Sequence, residues 1–220
     1  CSTDRVAPND SGLTPLPSSA DSGSLSADLP VVVFAAFRFE TLASKCWAFG
    51  MMQWAHRSLR AVPGLRFYKL MGSGGGDGFR PQADFSTYSL LSVWDSEAVA
   101  DAFFEQSDLF ARYRHKSAEL WRLYLYPLRV RGEWDGGNPF GAGCTDLPGE
   151  SVAVLTRATI DWRRLRRFWR AVPPVSETLG RQPGNLASFG IGEWPLIQMA
   201  TFSLWENVQA MQQYAYRSAA

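Results

Sequence analysis

The chain has little of what metal and hydrolytic chemistry is usually built from. Of its 220 residues three are cysteines, Cys1, Cys46 and Cys144, and no two stand in a CxxC spacing. An odd, scattered set argues against a disulfide framework or a zinc ribbon and fits a reducing compartment. Only two histidines occur, His56 and His115, and no His/Asp/Glu cluster shows metal-ligand spacing. GxSxG and HExxH are both missing, so serine-hydrolase and zinc-protease chemistry has no support. No apolar run approaches the roughly 20 residues needed to span a bilayer. Charge is balanced, 22 basic against 21 acidic residues for a net +1, so no global field gathers nucleic acid.

Aromatic residues are abundant. Fourteen Phe and nine Trp suit deep apolar interiors and pockets. Residues 1–29 are rich in Ser, Pro, Asp and Gly, lack periodicity and are expected to be a disordered tail. The chain starts at Cys1 and stops at Ala220 within a helical pattern; a reading frame clipped at both ends is expected, with a processed, lipid-anchored cysteine as the alternative.

From Pro30 the pattern becomes regular. "VVVFAAFRF" (31–39) has the length and composition of a buried strand, and "TLASKCWAFGMMQWAHRSL" (41–59) that of a helix. "GLRFYKLMG" (64–72) alternates as a strand and runs into glycines; "FSTYSLLSVW" (85–94) is another strand. Asp95 or Ser96 can cap the helix that follows. "LWRLYLYPLRV" (120–130) closes the series as a strand, and 131–150 reads as a Gly/Pro linker. Then the order begins again: "VAVLTRATI" (152–160) aligns with "VVVFAAFRF", "WRRLRRFWRAV" supplies a helix, "GNLASFGIG" (184–192) aligns with "GLRFYKLMG", and "ATFSLW" (200–205) with "LLSVW". Ser203 and Trp205 fall on Ser92 and Trp94. The spacing predicts an α+β chain of two tandem ferredoxin-like β-α-β-β-α-β repeats, 30–130 and 151–220, the second truncated. Packed sheet against sheet they would form a sandwich like a dimeric α/β barrel, with a cavity between sheet and helices; two separate ferredoxin-like domains are the alternative.

"YKLMGSGGGDGF" (68–79) raises the question of phosphate binding. A Walker A loop ends in GK[ST] and opens a helix, as does the dinucleotide fingerprint; here Phe79, Arg80 and Pro81 lead into a strand. A wide hairpin is expected instead, or a wall whose missing side chains admit a flat ligand. "RRLRRFWR" (163–170) reads as a solvated face, or as a docking surface for an acidic protein or lipid headgroups. His56 and His115 sit late in helices, where the dipole favours them, and a metal or haem axial role stays open. Arg157 and Thr159, and Arg38 on the matching strand, are polar residues on apolar strands, which stand at a strand end or face a cavity.

Taken together, "FRF" (37–39), Trp47/Gly50/Met52, "FYKLMGSGGGDGF" (67–79), Trp94, "GEWDGGNPF" (132–140), "LTRATI" (155–160), "FGIGEWP" (189–195) and "ATFSLW" (200–205) resemble the spheroidene monooxygenase (acyclic carotenoid 2-ketolase) family over about residues 31–220. The resemblance implies a monooxygenase with haem as cofactor, O2 and reduced ferredoxin, oxidising C-2 of an acyclic carotenoid to a ketone. An iron centre would carry an oxidation that ground-state O2 does not perform on an unactivated C–H bond. On that reading His115 and His56, then Lys69, Met71 and Tyr68, are candidate haem ligands, with a ligand beyond Ala220 also open. The expected substrate pocket comprises Arg38, Gly72, Ser73, Gly74, Gly78, Phe79, Trp94, Arg157, Thr159, Gly192 and Glu193. The resemblance further implies a cytoplasmic enzyme with peripheral contact at the inner face of the membrane, partners being an apolar carotenoid-like molecule and ferredoxin, not nucleic acid. A cofactor-free α/β-barrel oxygenase and a non-catalytic carrier of an apolar ligand are the alternatives.

Overall fold

The computed structural model describes residues 3–6, 30–74, 83–143, 151–161, 163, 179, 182–194 and 198–217. Eight strands, β1 (Thr3–Val6), β2 (Val31–Arg38), β3 (Leu65–Gly74), β4 (Ala83–Trp94), β5 (Glu119–Leu125), β6 (Val152–Thr159), β7 (Asn185–Trp194) and β8 (Gln198–Trp205), form one sheet in the order β1-β5-β2-β4-β3-β7-β8-β6. Every ladder is antiparallel. Among the described residues four helices accompany it: α1 (Leu42–Leu59), α2 (Glu97–Gln106), α3 (Asp108–Lys116) and α4 (Val208–Arg217).

Local chemistry explains the starts and stops. Thr41 caps α1, its hydroxyl accepting the Ser44 amide at 3.1 Å, while the Ser44 hydroxyl donates back to the Thr41 carbonyl at 2.9 Å. Ser44, Ala48, Met51, Ala55 and Leu59 then recur at helical spacing and form the buried stripe of α1. The single helix expected after Ser96 is broken in two. Ser107 ends α2 with extended backbone and caps α3, its hydroxyl accepting the Phe110 amide. β5 ends two residues before Pro127, which has no amide hydrogen for a ladder. Four residues of the expected disordered tail pair with β5 as β1. The edge of β5 offers free backbone donors and acceptors to any extended segment, whatever its composition.

β2 lies in the middle of the sheet and is buried on both faces. Val31, Val33, Ala35 and Phe37 join the core beneath α1, α2 and α3, with Phe104, Phe110 and Tyr113. Val32 and Phe34 join a second core on the other face, with Met71, Leu91, Leu123, Ile191, Phe202 and Leu204. Phe34 stacks on Phe202 with centroids 4.5 Å apart, although three strands separate β2 from β8 in the sheet order. The sheet is therefore curled until its two halves face each other. The expected sandwich is made by one continuous sheet, not by two.

The halves match in detail. β5-β2-β4-β3 gives the order fourth, first, third, second strand of the first segment; β7-β8-β6 gives second, third, first of the later one. The Trp94 indole donates to Ser92 at 2.9 Å and the Trp205 indole to Ser203 at 3.0 Å. The Asp95 amide bonds the Gly64 carbonyl and the Glu206 amide the Gly184 carbonyl, each at 2.9 Å. Both glycines need a positive φ, 74° and 78°, and a Cβ on either would lie under 3 Å from a helix side chain.

Candidate functional site

The curled sheet places charge in an otherwise apolar interior. Along β3 the inward row is Phe67, Lys69, Met71; along β7 it is Phe189, Ile191, Glu193; along β6 it is Leu155, Arg157. Lys69 Nζ lies 2.7 Å from Glu193 Oε2, and Arg157 Nε 3.2 Å from Glu193 Oε1. The three side chains are only 17 %, 19 % and 11 % exposed for Lys69, Arg157 and Glu193. Asp135, outside the sheet and mostly solvated, accepts from Lys69 Nζ at 2.8 Å, and the Arg157 guanidinium sits 4.8 Å from the centroid of the Trp134 ring. Two cations meet two carboxylates and an aromatic face, so each buried charge has a partner. Burial by itself would lower the Lys69 pKa. The hydrogen bonds and charges of Asp135 and Glu193 outweigh it and hold the ammonium above its ordinary value. Lys69 is therefore a fixed cation at neutral pH, not a nucleophile or base.

Beside this cluster β3 meets β7 through two register pairs, Gly72 with Gly192 and Ser73 with Ile191, and the Ser73 hydroxyl donates to the Gly190 carbonyl at 3.1 Å. A Cβ on Gly72 would meet nothing within 4 Å, so the backbone there borders open space. That space is on the outward face, the side of Tyr68 and Leu70; the inward face is aromatic, where Phe202 stacks on Phe34 and Phe189 and Trp121 meets Phe189 edge-on at 5.9 Å. Ser89, 3 % exposed and next to Met71 in the ladder, has a hydroxyl without a partner among the described residues.

The structure thus gathers Lys69, Met71, Gly72, Ser73, Arg157, Gly192 and Glu193 at one seam. Other sequence candidates lie elsewhere. Trp94 is fully buried in the core under the helices, on the opposite face of the sheet. Its role is to fill that core. Arg38 ends β2 exposed and pairs loosely with Glu119 at 3.6 Å. Thr159 is exposed at the end of β6, and His115 is exposed in the last turn of α3. His56, on α1, accepts or donates at Nδ1 to the Tyr68 hydroxyl, 2.9 Å away on the outward row of β3. Gly74 ends β3; Gly78 and Phe79 lie outside the described residues, as does most of the Arg-rich segment 163–170. The glycine stretch does connect two antiparallel strands, as a hairpin reading requires and a phosphate loop does not.

No protein-family model matches the chain. Three curated relatives do. The spheroidene monooxygenase of Rhodobacter capsulatus is 36 % identical over 189 residues, 85 % of this chain and 78 % of its own. The chain belongs to the spheroidene monooxygenase family. The spheroidene monooxygenase of Cereibacter sphaeroides is 31 % identical over 187 residues, and the chain spans 58 % of its length. A solved anthrone oxidase-like protein aligns over 87 % of this chain and 79 % of its own, but at 15 % identity and a TM-score of 0.35. That likeness is too loose to bear on chemistry. The family makes this chain a monooxygenase.

Two residues of the cluster escaped sequence reasoning. Trp134 and Asp135 fell in the expected linker, yet they form a tight turn. The Trp134 amide bonds the Gly137 carbonyl at 2.7 Å and the reverse bond is 3.1 Å, with Asp135 and Gly136 at φ 54° and 82°. Asp-Gly with both residues at positive φ is the usual two-residue hairpin, so the "WDGG" run carried the signal. The rings of Trp134, Phe140 and Phe67 then meet edge-on, all three centroid pairs within 6.3 Å, and seat the segment on the interior.

Haem, which the resemblance implies, needs an axial donor beside a void of about 300 Å³ or more. The described residues do not fit it. His56 is engaged by Tyr68, Lys69 by two carboxylates, and Met71 is fully buried in the core that holds Phe34, Phe202 and Ile191. The space between the first helices and the sheet is filled, leaving a cavity of about 10 Å³ among Phe37, Leu59, Leu70, Leu90 and Phe110, room for about one water. His115 faces outward. Among the described residues no cluster of three or more metal-binding side chains occurs.

Proposed function

We propose that the chain oxidises an apolar, linear, carotenoid-like substrate with O2, placing the substrate end along the aromatic interior beside the β3–β7 seam. The observation that carries this reading is the 36 % identity to a spheroidene monooxygenase across 85 % of the chain. The interior agrees with it. Phe189 and Trp121, half-buried, present flat apolar surface beside the stacked and fully buried Phe34 and Phe202. The fold in this reading is a tandem ferredoxin-like repeat curled as a dimeric α/β barrel is, which the matching strand orders and Ser/Trp pairs support. The Lys69–Glu193–Arg157 cluster ties β3, β6 and β7 together and keeps the interior geometry fixed; its charges are satisfied internally, so they need no solvent. Oxidation at C-2, reduced ferredoxin as donor and haem as cofactor belong to the reading through the resemblance, but no step is assigned to a haem by these residues.

The test is the chain with its natural termini, purified with and without added hemin and assayed for ketone formation from an acyclic carotenoid under O2 with a reduced ferredoxin system. A Soret band that shifts on reduction and with CO, together with ketone product, supports the full reading. Ketone without a Soret band replaces the haem with a different oxygen chemistry. No product from any acyclic carotenoid, with the ligand bound, makes the chain a carrier.

A further inference from the structure

α1 carries an apolar surface that no described residue covers. Its buried stripe faces the sheet; on the opposite crest Leu42, Cys46, Phe49 and Gln53 follow one another at i, i+4, i+7 and i+11, with Trp54 at the side. Leu42 is 78 % exposed, Phe49 60 % and Trp54 70 %. Phe85 of β4, 54 % exposed, meets the Phe49 ring at 5.9 Å and widens the patch. These are four of the eight exposed large apolar side chains among the described residues, three of them on α1.

The charge around the patch has one sign along the helix. From Leu42 to Arg60 there is no Asp or Glu, while Lys45, Arg57 and Arg60 are basic. Lys45 and Arg57 flank the crest on its two sides, and Lys116 adds a fourth cation over the Trp47 ring. Glu40 and Asp84 stand at the margins, and Asp84 is turned inward to the Ser86 amide and the Thr87 hydroxyl. Trp, Phe and Leu tips ringed by Lys and Arg, on a helix of 18 residues, are the composition of a helix that lies in a bilayer interface. A protein partner of acidic surface would meet the cations but leave Leu42, Phe49 and Trp54 against polar groups. No described helix is long and apolar enough to cross the membrane, so adsorption is the mode that fits.

We propose that the exposed face of α1, with Phe85, docks the protein on an anionic lipid surface. The inference rests on the reading above only in its purpose, since a lipid-dissolved substrate would be met at that surface. Adsorption is measured without turnover, so failure of one leaves the other standing.

The experiment is co-sedimentation of the full chain with vesicles of phosphatidylcholine, alone or with a third of phosphatidylglycerol, alongside light scattering for its oligomeric state. Each Lys or Arg near an anionic surface contributes a factor of about 5, so three predict roughly 100-fold tighter binding to the anionic vesicles. Phe49→Ser with Trp54→Ser abolishes sedimentation with both vesicles; Lys45→Gln with Arg57→Gln and Arg60→Gln removes only the preference for anionic lipid. Phe49, Trp54, Arg57 and Arg60 are solvent-exposed and Lys45 is half-buried, and unchanged circular dichroism confirms that the variants fold. Absence of sedimentation, or sedimentation unaffected by both variants, overturns the proposal. So does a dimer that the Phe49/Trp54 variant dissolves while vesicles capture nothing, which would make the patch a contact between two copies.

Discussion

Glu193 is the pivot of the interior cluster, and replacing it tests whether the cluster is a built feature or an incidental one. Glu193→Gln keeps the shape and removes the charge. Lys69 and Arg157 then lose the carboxylate held 2.7 and 3.2 Å away while both remain largely out of water. Removing one partner of a buried ion pair costs about 3–5 kcal/mol. Here the cost is smaller, because Asp135 still faces Lys69 and the Trp134 ring still faces Arg157. About 2–3 kcal/mol is expected. Lys69→Met retains most of the apolar stem and leaves Glu193 paired with Arg157 and Asp135 in solvent, so about 0.5–1 kcal/mol is expected. In a chain of this size the first substitution lowers Tm by about 5–10 °C and the second by about 1–4 °C. Urea unfolding of both single variants and the double variant gives the coupling directly. If Lys69→Met is as damaging as Glu193→Gln, or the two effects simply add, Glu193 does not compensate the cations and the electrostatic account fails.

Two further outcomes follow from the cores. Ser92→Ala strips the buried Trp94 indole of its acceptor and the Val33 carbonyl of its donor, and urea unfolding should show a loss of about 1–3 kcal/mol; a loss under about 0.5 kcal/mol would mean the pair is replaceable. His56 has its pKa lowered by burial first and then by Arg60, so the fold favours the neutral ring. That contribution is present above about pH 6.5 and is lost as pH falls through the lower folded value. Thermal unfolding of the wild type should therefore weaken below about pH 6.5 more steeply than that of His56→Gln, and parallel profiles would refute it.

Much of this was readable from one sequence because it is local or periodic. The alternation of "VVVFAAFRF" and "VAVLTRATI", the Ser-x-Trp endings and the hairpin at the glycine stretch depend on residues near one another in the chain. Arg157 stood out because a charge on an apolar strand needs a partner inside the fold. The partner itself, Glu193, is 36 residues away, and Asp135 is 66 residues from Lys69. No periodicity reports contacts of that span. The break at Ser107 was hidden because the helical pattern continues on both sides of it, and only the capping hydroxyl decides where one helix stops. His115 looked like a ligand candidate because histidine is rare here, but rarity says nothing about which way a helix turns its last residues.

The same contrast explains why the interior depends on side chains more than on the sheet. Across the seam, among the described residues, two register pairs join β3 to β7, with the Ser73 hydroxyl adding one bond to the Gly190 carbonyl. At about 1 kcal/mol net for each hydrogen bond, that ladder alone holds the two halves weakly. Three stacked or tilted phenylalanine contacts, each about 0.5–1.5 kcal/mol beyond their burial, contribute at least as much, and they act at the far side of the curl where β2 meets β8. The ion cluster fixes the near side. The angle at which the halves face each other, and so the width of any cleft between them, is set by Phe34, Phe189 and Phe202 at one end and by Lys69, Arg157 and Glu193 at the other. Residues that line the seam are thus the same residues that decide how the sheet closes.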